Sequence, residues 1–197
     1  PPPEADTTAL SGGVHPAQLR LAFEELLAHH LAVRRRRQYR ESSVAPVIPI
    51  GKSLWPQLEK RLGFSLTNAQ QRTIREVLTD LSQPRPSLRL IQGDVGCGKT
   101  VVAAAAALAA IEAGLQVVVM APTELLAEQH FRTFTKWLEG FDLTLVWLTG
   151  KLGAREKREA CNLLASGQAQ IGVGTHALFQ EGVRYRSLGL VVVDEQH

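Results

Sequence analysis

The segment from Gly93 to Thr100 constrains the fold more than any other part of the sequence. It reads GDVGCGKT and matches the pattern G-x-x-x-x-G-K-T. This pattern forms a phosphate-binding loop when a strand precedes it and a helix follows it. Here the apolar residues 88–92 come before the loop and the alanine-rich residues 99–113 come after it. The segment therefore predicts a strand, loop and helix unit inside an α/β domain.

Short apolar segments alternate with helical patterns from Leu54 onward. Each short segment is apolar throughout, which is typical of strands buried on both faces of a parallel sheet. We therefore predict an α/β fold with a parallel sheet flanked by helices. Glycines 114, 140 and 167 stand where a left-handed residue would end a helix. The predicted strands are 88–92, 116–120, 143–148, 170–173 and 188–193, and the predicted helices between them are 68–82, 99–113, 124–139 and 153–166.

The chain divides into four parts. Residues 1–14 are rich in Pro, Gly, Ser and Thr and predict a linker. Residues 15–41 carry apolar side chains at spacings of three and four, which predicts an amphipathic helix with a basic end. Residues 42–53 are interpreted as a connection, and residues 54–197 as the α/β domain. Because the chain starts without methionine and stops just after a predicted strand, we expect it to be part of a longer protein.

Composition excludes several classes of protein. The 197 residues are 45% hydrophobic and 21% charged, which rules out collagen and wholesale disorder. Two cysteines, Cys97 and Cys161, make no disulfide framework, and no apolar run is long enough to cross a membrane. The net charge of +3 is too small to indicate nucleic acid by itself. We expect a cytoplasmic protein without a membrane partner.

The phosphate-binding loop predicts a nucleotide site. Glycines let successive backbone N–H groups converge on phosphate oxygens, and the helix that follows directs its positive end at the same anion. Lys99 would reach the β and γ phosphates, and the Thr100 hydroxyl would bind Mg²⁺. We expect ATP with Mg²⁺ as the ligand. The predicted nucleotide-binding residues of the loop are Gly93, Asp94, Val95, Gly96, Cys97, Gly98, Lys99 and Thr100.

Two acids follow the last apolar strand. Taken alone, Asp194 and Glu195 would be interpreted as surface acids, which often end a buried strand. About 100 residues after a phosphate-binding loop, they instead fit a Walker B element, with Asp194 on Mg²⁺ and Glu195 orienting the attacking water. Lys99, Asp194 and Glu195 are therefore the predicted catalytic residues. No other metal site is predicted.

The segment before the loop supports two interpretations. Thr67 and Gln70 have the T-x-x-Q spacing of a capping box, which would stabilise the start of helix 68–82. Gln70 also carries an amide that can donate and accept at once, as pairing with an adenine edge requires, and Phe64 would lie near the base. The two roles are compatible.

Loops after three predicted strands present small or hydroxyl-bearing residues. The carboxyl ends of parallel strands share one edge of the sheet, where ligands bind. Backbone N–H groups and hydroxyls there suit a phosphodiester backbone. The alternative role for Thr123 is to cap the helix that follows. The predicted DNA-binding residues are Pro122, Thr123, Gly150, Thr175 and His176.

Together these segments resemble a known family. Gln70, the loop, APTELLAEQH, GTHALFQ and DEQH resemble superfamily 2 helicases, and more closely the RecG family of bacterial helicases. Residues 15–37 also resemble the helix that links the wedge domain of that family to its motor. Motors of transcription-repair coupling factors are the nearest alternative, but their Walker B element usually reads DEEQ. Cys97 departs from the resemblance, since serine is more frequent there.

The resemblance implies a first RecA-like domain, truncated at the Walker B motif, in an ATP-dependent DNA helicase. It implies branch migration and the remodelling of stalled forks and Holliday junctions, with His197 linking the nucleotide site to DNA. It also implies a monomer at the bacterial nucleoid. This fragment alone, without a second RecA-like domain, is expected to hydrolyse ATP very slowly. A nucleotide-dependent DNA-binding switch with little hydrolysis is the second hypothesis.

Overall fold

The computed structural model describes residues 15–51, 53–94 and 96–194, with the backbone alone for residues 39–41. The predicted linker, 1–14, lies outside them. The described residues divide between Ala45 and Pro46 into two compact units. In the first, a single helix, α1, spans Pro16–Ser42, so a helix is present where one is predicted at 15–41. Over its whole length, however, this helix does not gather its apolar residues on one face, so its predicted amphipathic character is wrong. No helix among the described residues combines the length and apolarity needed to cross a bilayer.

The second unit alternates helices and strands, as the sequence predicts. Glycines 114, 140 and 167 have φ angles of 75°, 79° and 80° and confirm the predicted left-handed ends of three helices. A short helix, α2, and a 3-10 helix are additions to the predicted elements. In chain order the elements are α2 (Leu54–Arg61), α3 (Asn68–Leu81), α4 (Lys99–Glu112), β1 (Gln116–Met120), α5 (Glu124–Trp137), β2 (Leu145–Leu148), α6 (Ala154–Ser166), β3 (Ile171–Gly174), the 3-10 helix (His176–Phe179) and β4 (Leu188–Val193).

The four strands form one parallel sheet in the order β2-β3-β1-β4. The register aligns the carboxyl ends of the strands: Met120 pairs with Gly174 on one side and with Val193 on the other. Leu148 in turn pairs with Gly174. The loops that follow the four strands therefore leave the sheet at a common edge, as the predicted α/β fold requires.

The alanine-rich helix α4 forms the centre of the core. Ten of its residues are buried, six of which are alanine. These small side chains let the helix lie close to the strands, and α4 packs against β1 and β4 on one side and against α2 and α3 on the other. Helix α5 covers the same face of the sheet through Phe134, while α6 covers the opposite face through Ala160 and Leu164. The sheet is thus enclosed between two helical layers.

Part of the predicted connection 42–53 packs on this core. Ile48 is 2% exposed, and its N–H donates to the carbonyl of Leu81 at 3.0 Å. The N–H of Ser53 donates to Oε1 of Glu112 at 2.9 Å. The connection therefore joins the ends of α3 and α4 before α2 begins.

The strand predicted at 88–92 is wrong. The segment has no regular secondary structure, and Leu88 and Leu90 are 77% and 70% exposed. Arg89 explains its path: its guanidinium contacts Asp80 at 2.5 Å and Glu76 at 2.9 Å, both on α3. The hydrogen bond to Asp80 is the main cause that raises the pKa of Arg89 above its usual value. The apolar pattern of the segment is typical of a strand, but these ion pairs hold the segment toward α3. Strand β4 therefore has no neighbour on its outer side in the described sheet.

Candidate functional site

One cavity of about 820 Å³ gathers the predicted catalytic residues that the structure describes. It lies between the segment 87–94, helix α4 and strand β4. Lys99 and Thr100 from the first turn of α4 and Asp194 at the end of β4 all line it. Residues from distant parts of the chain therefore meet at the edge where the strands end.

The backbone of the phosphate-binding loop requires glycine at two positions. Gly96 and Gly98 have φ angles of 79° and 85°, in the left-handed region that disfavours other residues. Gly98 begins α4, and a Cβ atom there would overlap the Gln70 amide. The N–H of Cys97 donates to the carbonyl of Asp94 at 3.2 Å and closes a tight turn. Val95 lies outside the described residues.

Lys99 folds back on the loop that precedes it. Its Nζ donates to the carbonyls of Gly93 at 2.8 Å and Asp94 at 3.1 Å. The ammonium group is thus held at the start of the loop. A phosphate oxygen is a stronger acceptor than these carbonyls because its hydrogen bond with an ammonium group joins two charges. The same side chain can therefore exchange these bonds for a phosphate.

Gln70 caps α3 and touches the loop at the same time. The N–H of Gln70 donates to Oγ1 of Thr67 at 3.2 Å, and the N–H of Thr67 donates to Oε1 of Gln70 at 2.9 Å. The capping box is therefore confirmed. The Gln70 Nε2 also donates to the carbonyl of Cys97 at 2.9 Å. Phe64 is 50% exposed and does not line the cavity.

Asp194 is held by both its backbone and its side chain. Its N–H donates to the carbonyl of Met120 at 2.8 Å, which continues the pairing of β4 with β1. Its Oδ2 lies 2.6 Å from Nε2 of His130. Glu195 and His197, the predicted water-orienting and coupling residues, lie outside the described residues.

The oxygen atoms in this cavity fit a magnesium ion. Mg²⁺ takes oxygen ligands and usually keeps several waters, so it needs few protein groups. Thr100 offers a hydroxyl and Asp194 a carboxylate, and both line the cavity next to Lys99. No group of three or more His, Cys, Asp and Glu side chains with metal-binding geometry occurs within residues 15–51, 53–94 and 96–194. A magnesium ion carried by a nucleotide suits this donor set better than an all-protein metal cage.

The predicted DNA-binding residues lie in the loops at the same edge of the sheet, but they differ in exposure. Pro122, Gly150 and His176 are exposed, whereas Thr175 is 4% exposed and does not present its hydroxyl to solvent. Oγ1 of Thr123 accepts from the N–H of Leu126 at 3.3 Å, so the helix cap considered from the sequence is present.

Two of these loops are joined by an ion pair. Nζ of Lys151 lies 2.5 Å from Oε2 of Glu124, at the start of α5. The lysine side chain is 84% exposed, so the pair adds little stability and its cation remains accessible.

Sequence reasoning missed the pairing of His130 with Asp194. The two residues are 64 positions apart, and no local pattern connects them. The one signal in the sequence is periodic: His130 follows Thr123 by seven residues, which places both on one side of α5. Only the packing of α5 on β3 and β1, with β4 paired to β1, brings the imidazole to the carboxylate.

Comparisons with known proteins find similarity to helicases. The family model described as DEAD/DEAH box helicase matches residues 67–197. The ATP-dependent DNA helicase RecG of Acidithiobacillus ferridurans is 52% identical over 93% of this chain and 27% of its own length. RecG of Pasteurella multocida is 47% identical over 100% of this chain and 28% of its own length. The chain thus spans little more than a quarter of these curated relatives.

Solved structures give the same result for the fold. A structure of RecG bound to a three-way DNA junction superimposes with a TM-score of 0.81 and 41% identity, over 94% of this chain and 27% of that one. A hypothetical ATP-dependent RNA helicase from Sulfolobus tokodaii superimposes with a TM-score of 0.54 and 23% identity, over 71% of this chain and 40% of that one. The second likeness concerns the fold alone. The α/β domain is therefore RecA-like, as the resemblance implied.

Proposed function

Because this chain belongs to the DEAD/DEAH box helicase family, we propose that it is the nucleotide-binding part of an ATP-dependent DNA helicase. The observation that supports this most directly is the single cavity shared by Lys99, Thr100 and Asp194. A phosphate-binding cation, a hydroxyl and a carboxylate are the groups that a P-loop ATPase needs around the β and γ phosphates.

Different residues bind the phosphates and the base of ATP. Backbone N–H groups from Gly93 to Thr100 surround the phosphates, and Lys99 moves from its two carbonyl partners to the β and γ oxygens. Gln70 recognises the adenine edge, and its hydrogen bond to the carbonyl of Cys97 keeps its amide next to the phosphate-binding loop. Phe64 packs near the base after a local rearrangement.

Thr100 and Asp194 hold the magnesium ion that accompanies ATP. The ion supplies charge that stabilises the transferring phosphoryl group. Glu195 follows Asp194 directly and orients the water that attacks the γ phosphate. His197, two residues further on, connects this site to DNA.

The loops at the carboxyl edge of the sheet bind the DNA backbone. Pro122, Gly150 and His176 are exposed there, and contacts with phosphates position a protein on DNA without selecting a sequence. Thr123 and Thr175 act through the backbone of their loops, since one caps α5 and the other is buried.

Branched DNA is the proposed substrate of the parent protein. The relatives at 47% and 52% identity are RecG helicases, and a RecG of the same fold was solved on a three-way junction. These comparisons favour a RecG-type helicase over a transcription-repair coupling factor. We infer that the parent drives branch migration at stalled forks and Holliday junctions, as a monomer at the bacterial nucleoid.

The test is the ATPase rate of the full-length parent with and without forked DNA. We expect forked DNA to stimulate the wild type, and Glu195→Gln to abolish that stimulation while nucleotide still binds, because an amide lacks the negative charge with which the carboxylate orients the water. Glu159→Gln is the matched control, since Glu159 is exposed on α6 and outside the cavity. A wild-type rate indifferent to DNA would favour the nucleotide-dependent switch instead.

A further inference from the structure

His130 contacts Asp194 in the nucleotide site, and the proposed function gives His130 no role. Its imidazole is 14% exposed, and Nε2 lies 2.6 Å from Oδ2 of Asp194, whose side chain is 25% exposed. His130 also lines the cavity. A contact this short between two partly buried side chains restricts how both of them rotate.

The direction of this hydrogen bond follows from the chemistry of the two groups. An ionised carboxylate has only acceptor atoms, so Nε2 of His130 must carry the hydrogen and be the donor of this hydrogen bond. Bonds of this kind, in which one partner is charged, are about twice as strong as neutral ones. Among the described residues, no other side chain forms a hydrogen bond or ion pair with the Asp194 carboxylate, so Oδ1 is available for a ligand.

The two hydrogen bonds that hold Asp194 come from the elements on either side of one loop. Its backbone is held by Met120, the last residue of β1, and its side chain by His130 of α5. The loop 121–123 joins β1 to α5 and carries the exposed Pro122. A displacement of this loop would therefore move Met120 or His130, the two residues that hold Asp194.

We propose that His130 is a positioning residue, which fixes the Asp194 carboxylate so that Oδ1 faces the magnesium ion of bound ATP. This proposal rests on the proposed function, because it assumes that Asp194 receives the ion. It adds a residue that does not itself touch nucleotide or metal. By way of α5, it also links the magnesium ligand to the loop 121–123 at the DNA edge.

Replacing His130 by leucine and by glutamine separates the hydrogen bond from the packing. Leucine fills a similar volume and cannot donate, whereas glutamine carries an N–H at the same reach. Thr135→Ala is the control, since Thr135 is exposed on α5 more than one turn beyond His130. All variants are made in the full-length parent, and circular dichroism verifies that they fold.

The measurement is a titration of a fluorescent, non-hydrolysable ATP analogue, first with EDTA and then with increasing Mg²⁺. Loss of a partner that orients a metal ligand typically weakens metal binding by about 10- to 100-fold. We expect His130→Leu to raise the Mg²⁺ concentration at half-effect by at least about tenfold. Affinity without Mg²⁺ should stay at the wild-type value, and His130→Gln should restore most of the Mg²⁺ effect.

Two results would overturn the proposal. One is a wild-type Mg²⁺ dependence in His130→Leu, and the other is an equal loss of affinity with and without Mg²⁺, which a purely structural role would produce. A wild-type parent that binds no nucleotide under either condition would instead refute the proposed function, together with this inference.

Discussion

Gln116 is a buried polar residue whose contacts hold three segments together. It is 3% exposed, and its Nε2 donates to the carbonyls of Leu164 at 2.8 Å and Ala169 at 2.7 Å. Its Oε1 accepts from the N–H of Ser187 at 3.0 Å. One side-chain amide thus forms hydrogen bonds with backbone groups at the end of α6, just before β3 and just before β4. In the sequence, Gln116 is only the first residue of an apolar strand.

We expect Gln116→Leu to destabilise the domain strongly. Leucine fits the volume, but it leaves the carbonyl of Ala169 and the N–H of Ser187 without their partner, at about 1–3 kcal/mol for each group that stays buried. The carbonyl of Leu164 still accepts from the N–H of Gly167. The measurement is urea unfolding of the chain, followed by circular dichroism.

Gln168→Leu is the control for that experiment. Gln168 is exposed and directly precedes Ala169, one of the partners of Gln116, so its replacement should change the free energy of unfolding by less than about 0.5 kcal/mol. An equal change in both variants would show that the network of Gln116 contributes nothing specific.

At the scale of elements, α3 connects helix stability to the nucleotide site. Its capping box uses Gln70, whose Nε2 also bonds to the phosphate-binding loop at Cys97. The amide is oriented by the N–H of Thr67. The start of the helix therefore sets the position of a side chain that we place on the base of ATP.

Thr67→Ala should lower the free energy of unfolding by about 1 kcal/mol, the usual cost of losing such a cap. It should also weaken nucleotide binding, because Gln70 loses the partner that defines the start of its helix. Thr79→Ala is the control: its Oγ1 bonds only to the carbonyl of Arg75 within α3. Urea unfolding and a nucleotide titration measure the two effects. A weaker cap with unchanged nucleotide affinity would mean that the backbone N–H of Thr67 alone is enough to orient the Gln70 amide.

At the scale of the whole molecule, the outer edge of β4 is the least protected part of the described sheet. Val191 and Val193 are 43% and 37% exposed, and the segment 88–92 does not pair with them. An exposed apolar edge strand offers unpaired backbone groups to another chain.

We expect this chain to self-associate as its concentration rises, and Val191→Lys to reduce that association because a charge on an edge strand opposes pairing. Light scattering over a concentration series measures the effect. Val44→Lys is the control, as Val44 is 88% exposed outside the sheet. Equal reduction by both variants would indicate a general effect of added charge.

The sequence determined most of the fold and the chemistry because both depend on local patterns. Four of the five predicted strands, the helices between them and the loop GDVGCGKT follow from apolar runs, glycines and spacing over a few residues. Thr67 and Gln70 were recognisable as a cap for the same reason. The carboxyl-edge location of Asp194 followed from the parallel sheet.

The tertiary structure alone decided the contacts between distant residues. It placed His130 on Asp194, joined Gln116 to three segments, buried Thr175 and held Arg89 on α3 instead of in the sheet. Periodicity reports which face of an element is apolar, but it does not report which polar side chain meets which partner across the core. Those choices depend on the packing of helices against strands, and they determine how the predicted catalytic groups are positioned.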